Sequence, residues 1–362
     1  MSWLRAALVL GAAGLLLGLL AGYHRMGWTA VPVPAQLLPE HGALMTGTFF
    51  GTLIALERAV ALRAWWAYVP AWLCGASVVA FLLGAALTGY GLLALGGVGM
   101  AAVFATLLRR HRMVPFVLLL GAGGSFAAAW IVALLQGSVT PAVPLLMGFF
   151  VVTIVAERLE LMRLLGLERR AVRWLGVALI AVLLGALWAM VQQRWELLGL
   201  ALGGIALWLF RYDVAVRNLR RAATPLHRYV GAMLGIGYGW LLVSMAVMLL
   251  GTRAVAFAFD AMLHSFFVGF VLTMVFAHGV IIFPAVLQRS GYGWTPWLWG
   301  PAGLLFAGMG MRLLGDIGGT PLRLWGSWTI GAALVLYLAM VAGATLRLAR
   351  RGRPGRGNPT AV

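Results

Sequence analysis

Twelve runs of apolar residues, each about long enough to cross a bilayer, follow one another along the chain and leave little room for anything else. A helical span takes ~20 such residues. Windows of that kind fall at 4–22, 41–62, 66–86, 90–108, 114–135, 142–162, 172–191, 196–211, 229–250, 258–287, 296–313 and 325–346. Of all residues 63% are hydrophobic and 10% charged, whereas a soluble globular chain is about half apolar and about a quarter charged. The expected fold is all-α: a polytopic bundle of twelve transmembrane helices in one domain over 1–349, followed by a basic tail over 350–362 that is expected to be disordered at anionic lipid. The first run, after Met1-Ser2-Trp3-Leu4-Arg5, is too long for the apolar part of a cleaved signal and counts as a span. Cys74 is the single cysteine, so no internal disulfide forms.

A formal charge of +18 suggests nucleic acid until the positions of the 27 basic residues, all arginine, are considered. Loops after the even-numbered spans, with the span ends beside them, and the two termini hold 22 of them; the opposite loops and span ends hold only Arg25, Arg194, Arg253, Arg312 and Arg323. The positive-inside rule then places both termini in the cytoplasm of a bacterial-type inner membrane. Membrane lipid is the expected partner and nucleic acid is not. Trp294, Trp297, Trp299, Trp325 and Trp328 fall at span ends and read as an interfacial aromatic belt.

An internal repeat is visible. The second span contains Phe49-Phe50 and Glu57-Arg58, and the sixth contains Phe149-Phe150 and Glu157-Arg158, at a constant offset of 100 that Arg63 and Arg163 continue. Glu and Arg are costly inside spans, so their shared register carries more weight than the phenylalanines. At an offset of 120 from the sixth span, Thr273 in the tenth answers Thr153 and His278 answers Arg158. Three arcs of four helices, with a pseudo-threefold arrangement, would produce this pattern. Glu57, Glu157 and His278 share a depth near the cytoplasmic ends of their spans. Two readings stay open for them: ion pairs that pin the repeat helices together, or a proton path.

Of the six histidines, His24, His111 and His227 lie in loops. His41 begins the second span and His264 is one to two turns into the tenth; both spans run inward from the outer face, so both imidazoles lie near the outer side. His278, 14 residues beyond His264, is ~21 Å deeper at 1.5 Å per residue. Two imidazoles at one depth on two parallel helices are what an axially ligated haem in a helical bundle requires. Gly42, Gly47 and Gly51 would leave room for a flat macrocycle, and Asp260, one turn before His264, would accept the ring N–H that does not ligate. With no Cys pair for attachment, the group would be one non-covalent haem b. An ordinary interior hydrogen-bonding role for each histidine stays open. So does copper, since Met45 lies one turn from His41 and Met262 two residues from His264, and thioether with imidazole suits that metal.

These residues resemble a known family. Twelve spans, both termini inside, the three-arc repeat and the stretches His41-Gly42-Ala43-Leu44-Met45 and His264-Ser265-Phe266-Phe267-Val268-Gly269-Phe270-Val271-Leu272-Thr273-Met274 look like the catalytic subunit of the haem–copper oxidase superfamily. The Asp260 to His264 run is similar to that of the NnrS-type membrane proteins linked to nitric-oxide stress. The resemblance covers the whole chain in topology and two short motifs in sequence. It implies low-spin haem ligation by His41 and His264 and a role in electron transfer or nitric-oxide handling, with a diatomic gas as ligand; it names no electron donor. The departures are equally specific: the sixth and seventh spans contain no His, and the tenth has one outer-side His instead of two. An oxygen-reducing binuclear centre cannot be built in its usual form, and whether the chain is an enzyme stays open. A secondary transporter using intramembrane Glu and His is the rival class, because internal repeats and polar residues within spans are common there.

Overall fold

A computed structural model describes residues 2–162, 166–217, 219–251, 255–286 and 291–351. The sequence expectations for Arg163, Arg253 and nearly all of the basic tail lie outside the described residues. Among the described residues the chain is helical throughout, without strands. Its long helices are α1 (Ser2–Arg25), α2 (His41–Leu62), α3 (Trp65–Leu82), α4 (Ala86–His111), α5 (Val114–Gln136), α6 (Thr140–Met162), α7 (Arg169–Gln192), α8 (Glu196–Tyr212), α9 (Pro225–Leu250), α10 (Ala258–Ala285), α11 (Trp299–Gly318) and α12 (Leu322–Arg351).

Ten of these are long and apolar enough to cross a membrane; α8 and α11 are the two outside that group. With 17 residues, α8 reaches only ~26 Å at 1.5 Å per residue, short of a hydrocarbon core of ~30 Å. In α11 the apolar run is diluted by glycines and by buried Arg312 and Asp316. The sequence reading counted Arg312 with the outer loops, at the edge of a span ending at 313; it lies well inside α11, which runs five residues further.

Consecutive helices pack as neighbours: α4 on α5, α5 on α6, α7 on α8, α8 on α9 and α11 on α12. Helix α1 lies along α2 and α3 and meets α12, bringing the two ends of the chain together. The most enclosed helices are α6 and α2, with 89% and 78% of their most apolar windows buried, then α10 at 61%; α1 and α7 reach only 33%. The outer helices turn Val9, Leu16, Val177, Ile180 and Leu184 outward, as a lipid-facing surface requires. Small residues set the closest approach, as is usual where apolar surroundings give helices no hydrophobic incentive to pair. A Cβ on Gly97 of α4 would lie 2.6 Å from the Ala127 Cα of α5, and one on Gly123 of α5 would lie 2.9 Å from the Ala101 Cα of α4.

Two of the enclosed helices depart from α geometry at matching places. After His41, α2 continues as π-helix over Leu44–Gly51; after His264, α10 does the same over Ser265–Leu272. The corresponding part of α6 is ordinary α-helix. Such π segments re-aim the side chains around them and frequently mark functional sites.

Since α4 and α5 touch backbone to backbone at Gly97, Gly97→Val should force them apart at a cost of ~1–3 kcal/mol, seen as a lower melting temperature in detergent. A variant as stable as the parent would show that the contact is not tight.

Candidate functional site

The structure brings His41 and His264 together. Their ring centres are 6.4 Å apart and their planes differ by 15°. Each ring is fixed through Nδ1: that of His41 donates to the Gly18 carbonyl of α1 at 2.7 Å, and that of His264 donates to the Asp260 carbonyl at 2.9 Å. In the neutral form of each ring the nitrogen that carries the lone pair is then Nε2. Neither Nε2 has a hydrogen-bond partner among the described residues.

Helix α1 makes room for this. A Cβ on Gly22 would come within 2.8 Å of the His41 ring, and one on Gly18 within 2.9 Å of Met45 Sδ. Met45 therefore packs towards α1. Of the three glycines expected to open space on α2, Gly42 has only Val139 near it, at 3.4 Å, and the other two do something else. Gly47 is filled by Leu93 and Trp130, and Gly51 by Phe126 and Cys74, so both serve close packing on neighbouring helices. Just before His41, Glu40 is buried and accepts a hydrogen bond from Tyr90 at 2.7 Å. Burial pushes its carboxyl up, and the Tyr90 bond opposes that shift.

Asp260 does more than orient an imidazole. Its carboxylate lies 3.3 Å from His264 Nδ1, but its stronger partners are Arg312 of α11 and Arg323 of α12, the latter at 2.8 Å. Arg323 also reaches Asp316 at 3.0 Å, and Arg312 donates to Ser327. The histidine pair thus sits beside two guanidiniums anchored on two carboxylates. No pattern in the sequence marks Gly18, Gly22, Arg312, Asp316 or Arg323: the glycines are among 48, and the arginines and Asp316 lie near an expected loop.

The second set of expected residues forms a separate cluster further along α2, α6 and α10. Arg58 of α2 is buried and faces three carboxylates: Glu57 at 3.5 Å, Glu160 at 4.0 Å and Glu157, with which it makes a direct hydrogen bond. Arg158 of α6 pairs with Asp213 at 3.1 Å and donates to His278 Nε2 at 2.9 Å. Since His278 Nδ1 donates to the Met274 carbonyl at 2.9 Å, the ring is held neutral with both nitrogens engaged. Asp213 also accepts from the Tyr238 hydroxyl at 2.8 Å.

Between the two clusters stand Phe50, Phe150 and Phe267, with ring centres 5.3 Å and 5.7 Å apart in edge-to-face pairs. Beyond them a cavity of about 70 Å³ opens between α2, α6 and α10. Its lining recurs as Phe50, Phe150 and Val271, then Leu53, Thr153 and Met274, then Ile54, Ile154 and Val275, then Glu57, Glu157 and His278. That is an offset of 100 followed by 121, one residue from the 120 at which Thr273 answers Thr153.

No group of three or more His, Cys, Asp or Glu among the described residues could hold a metal ion. A metal that brings its own equatorial ligands needs only two axial imidazoles.

A many-helix bundle with ten helices suited to a bilayer, enclosing paired imidazoles and paired charges, defines a multi-pass membrane protein. The chain belongs to the family described as a domain of unknown function, DUF8744, whose model matches residues 5–346. No curated protein and no solved structure matches the chain.

Removing Arg158 leaves Asp213 buried without its counter-ion, which should cost about 3–5 kcal/mol. Arg158→Met should therefore lower thermal stability sharply, and Arg158→Met/Asp213→Asn should recover most of the loss. Equal stability of the single variant and the parent would show the pair to be dispensable.

Proposed function

We propose that this protein binds one haem b between His41 and His264, as a twelve-span membrane protein of three four-helix arcs in which α2, α6 and α10 hold equivalent places. The observation that carries the reading is the pairing of the two rings. With about 2 Å from a metal to each imidazole nitrogen and about 1.2 Å from that nitrogen to its ring centre, two imidazoles on one metal have centres about 6.4 Å apart. The pair here is separated by 6.4 Å, nearly parallel, with each Nδ1 proton committed to a carbonyl and each Nε2 free. The recurrence of the cavity lining in α2, α6 and α10 supports the three-arc arrangement, and α8 and α11 bring the helix count to twelve.

When bound, haem with two imidazole ligands supplies one-electron redox chemistry, and loss of one ligand would open a position for a diatomic gas. The chain's own residues then do the following. Gly18 and Asp260, through their carbonyls, keep each imidazole in the tautomer that presents Nε2. Arg312 and Arg323 would hold anionic groups at the outer edge, while Asp260 and Asp316 keep both guanidiniums in position. The layer of Phe50, Phe150 and Phe267 excludes water from the side facing the cavity. This reading joins the resemblance to haem–copper oxidase catalytic subunits and NnrS-type proteins, and it implies electron transfer or nitric-oxide handling. Copper at the same pair remains the competing metal. The one-sided arginines support cytoplasmic termini in a bacterial-type inner membrane.

The test is a reduced-minus-oxidised optical spectrum of the protein expressed with adequate haem, with haem and copper quantified per chain. The reading expects sharp low-spin bands at one haem per chain, lost in His264→Ala and strongly reduced in Gly22→Val, which intrudes on the His41 ring. A colourless, metal-free protein would reject it in favour of transport.

A further inference from the structure

The cavity between α2, α6 and α10 is braced open at both ends. At one end Phe50 meets Phe150 and Phe150 meets Phe267, spacing α2 from α6 and α6 from α10. At the other, Arg58 bonds Glu157 across the first helix pair and Arg158 bonds His278 across the second. Between these two levels the wall is made of large side chains: Leu53, Ile54, Ile154, Val271, Met274 and Val275. A Cβ on Gly279, the one glycine of the lining, would meet Tyr337 and Phe283. The space therefore comes from the spacing of the helices and not from missing side chains.

That wall offers an occupant hydrocarbon. Glu57 and Glu157, at its edge, face Arg58; His278 uses both ring nitrogens; and the Thr153 hydroxyl is sealed off, with no accessible surface. Water held in a protein interior needs about two to four polar partners, which Leu53, Ile154 and their neighbours do not supply. Cavities walled by Leu, Ile and Phe stay dry and take up apolar guests of matching size, benzene entering one of about 150 Å³. This cavity is about 70 Å³. At about half the benzene-binding size it excludes an aromatic ring and fits a monatomic or diatomic gas.

We propose that this cavity is a docking site for a small apolar gas, of the size and low polarity of a neutral diatomic molecule. One aromatic layer separates it from His41 and His264, which makes it a store beside that pair. This role rests on metal binding by the two histidines. Occupancy of the cavity does not, so the two readings fail separately.

Xenon is the probe, applied under pressure to the full, metal-free chain in lipid nanodiscs with isotope-labelled isoleucine methyl groups read by nuclear magnetic resonance. Ile154 lines the cavity, whereas Ile205 of α8 is also enclosed and lies outside it. The Ile154 methyl resonance should shift saturably with xenon pressure, at least about threefold further than that of Ile205. Val271→Phe, which fills the space, should abolish the Ile154 shift. Leu53→Ala, which enlarges it, should increase the shift, and it keeps the test available if the filled variant does not fold. Magnetisation transfer to Ile154 from water or from lipid chains that xenon does not displace would give the cavity to one of those occupants. That result overturns the proposal, as does an Ile154 shift that matches that of Ile205 or ignores both substitutions.

Discussion

A charge buried inside a membrane bundle must meet its counter-charge, and three arginines impose that condition on this chain. Arg58, Arg158 and Arg312 are each less than a tenth exposed, and each finds its partners on another helix or helix end. Arg58 ties α2 to α6, Arg158 ties α6 to α10 and to the end of α8, and Arg312 ties α11 to α10. These links run through the most enclosed helices, so breaking one leaves a buried charge uncompensated. The relative depth of α2, α6 and α10 follows from them. Both candidate sites depend on that depth.

The two sites use the same helices for different chemistry. At one end the π segments begin just after His41 and His264, where the imidazoles leave their Nε2 atoms free. At the other, among the described residues, Glu57, Glu157 and Glu160 surround Arg58 beside a small cavity. Phe50, Phe150 and Phe267 separate them.

Much of this was legible in the sequence, for physical reasons. Apolar runs dictate helices where no other structure satisfies the backbone in lipid, so ten spans were readable; α8 and α11 fall short because one is brief and the other carries Arg312 and Asp316. His41 and His264 were legible as a pair because each lies near the start of a long apolar helix. The offset of 100 between α2 and α6 exposed Glu57 and Glu157, and cross-helix pairing was one of the two readings of Glu57-Arg58 and Glu157-Arg158. What was not legible depends on tertiary contact. Neither Gly18 nor Gly22 has a feature that distinguishes it from other glycines until the ring of another helix rests against it. Gly47 and Gly51 looked like space for a ligand and are filled by Trp130 and Phe126. The π segments arise from local backbone register, for which side-chain periodicity gives no signal, and the one-residue difference between 120 and 121 went unseen with them.

The central claim is that His41 and His264 act together on one metal with nearly parallel rings. Low-temperature electron paramagnetic resonance of the oxidised, haem-loaded protein reads both parts at once, because the orientation of two axial imidazoles sets the anisotropy of a low-spin ferric signal. Planes differing by 15° predict a rhombic low-spin spectrum. A high-spin signal would show that the two imidazoles do not both ligate, and a strongly anisotropic low-spin signal would show that their planes are crossed; either result would contradict the account.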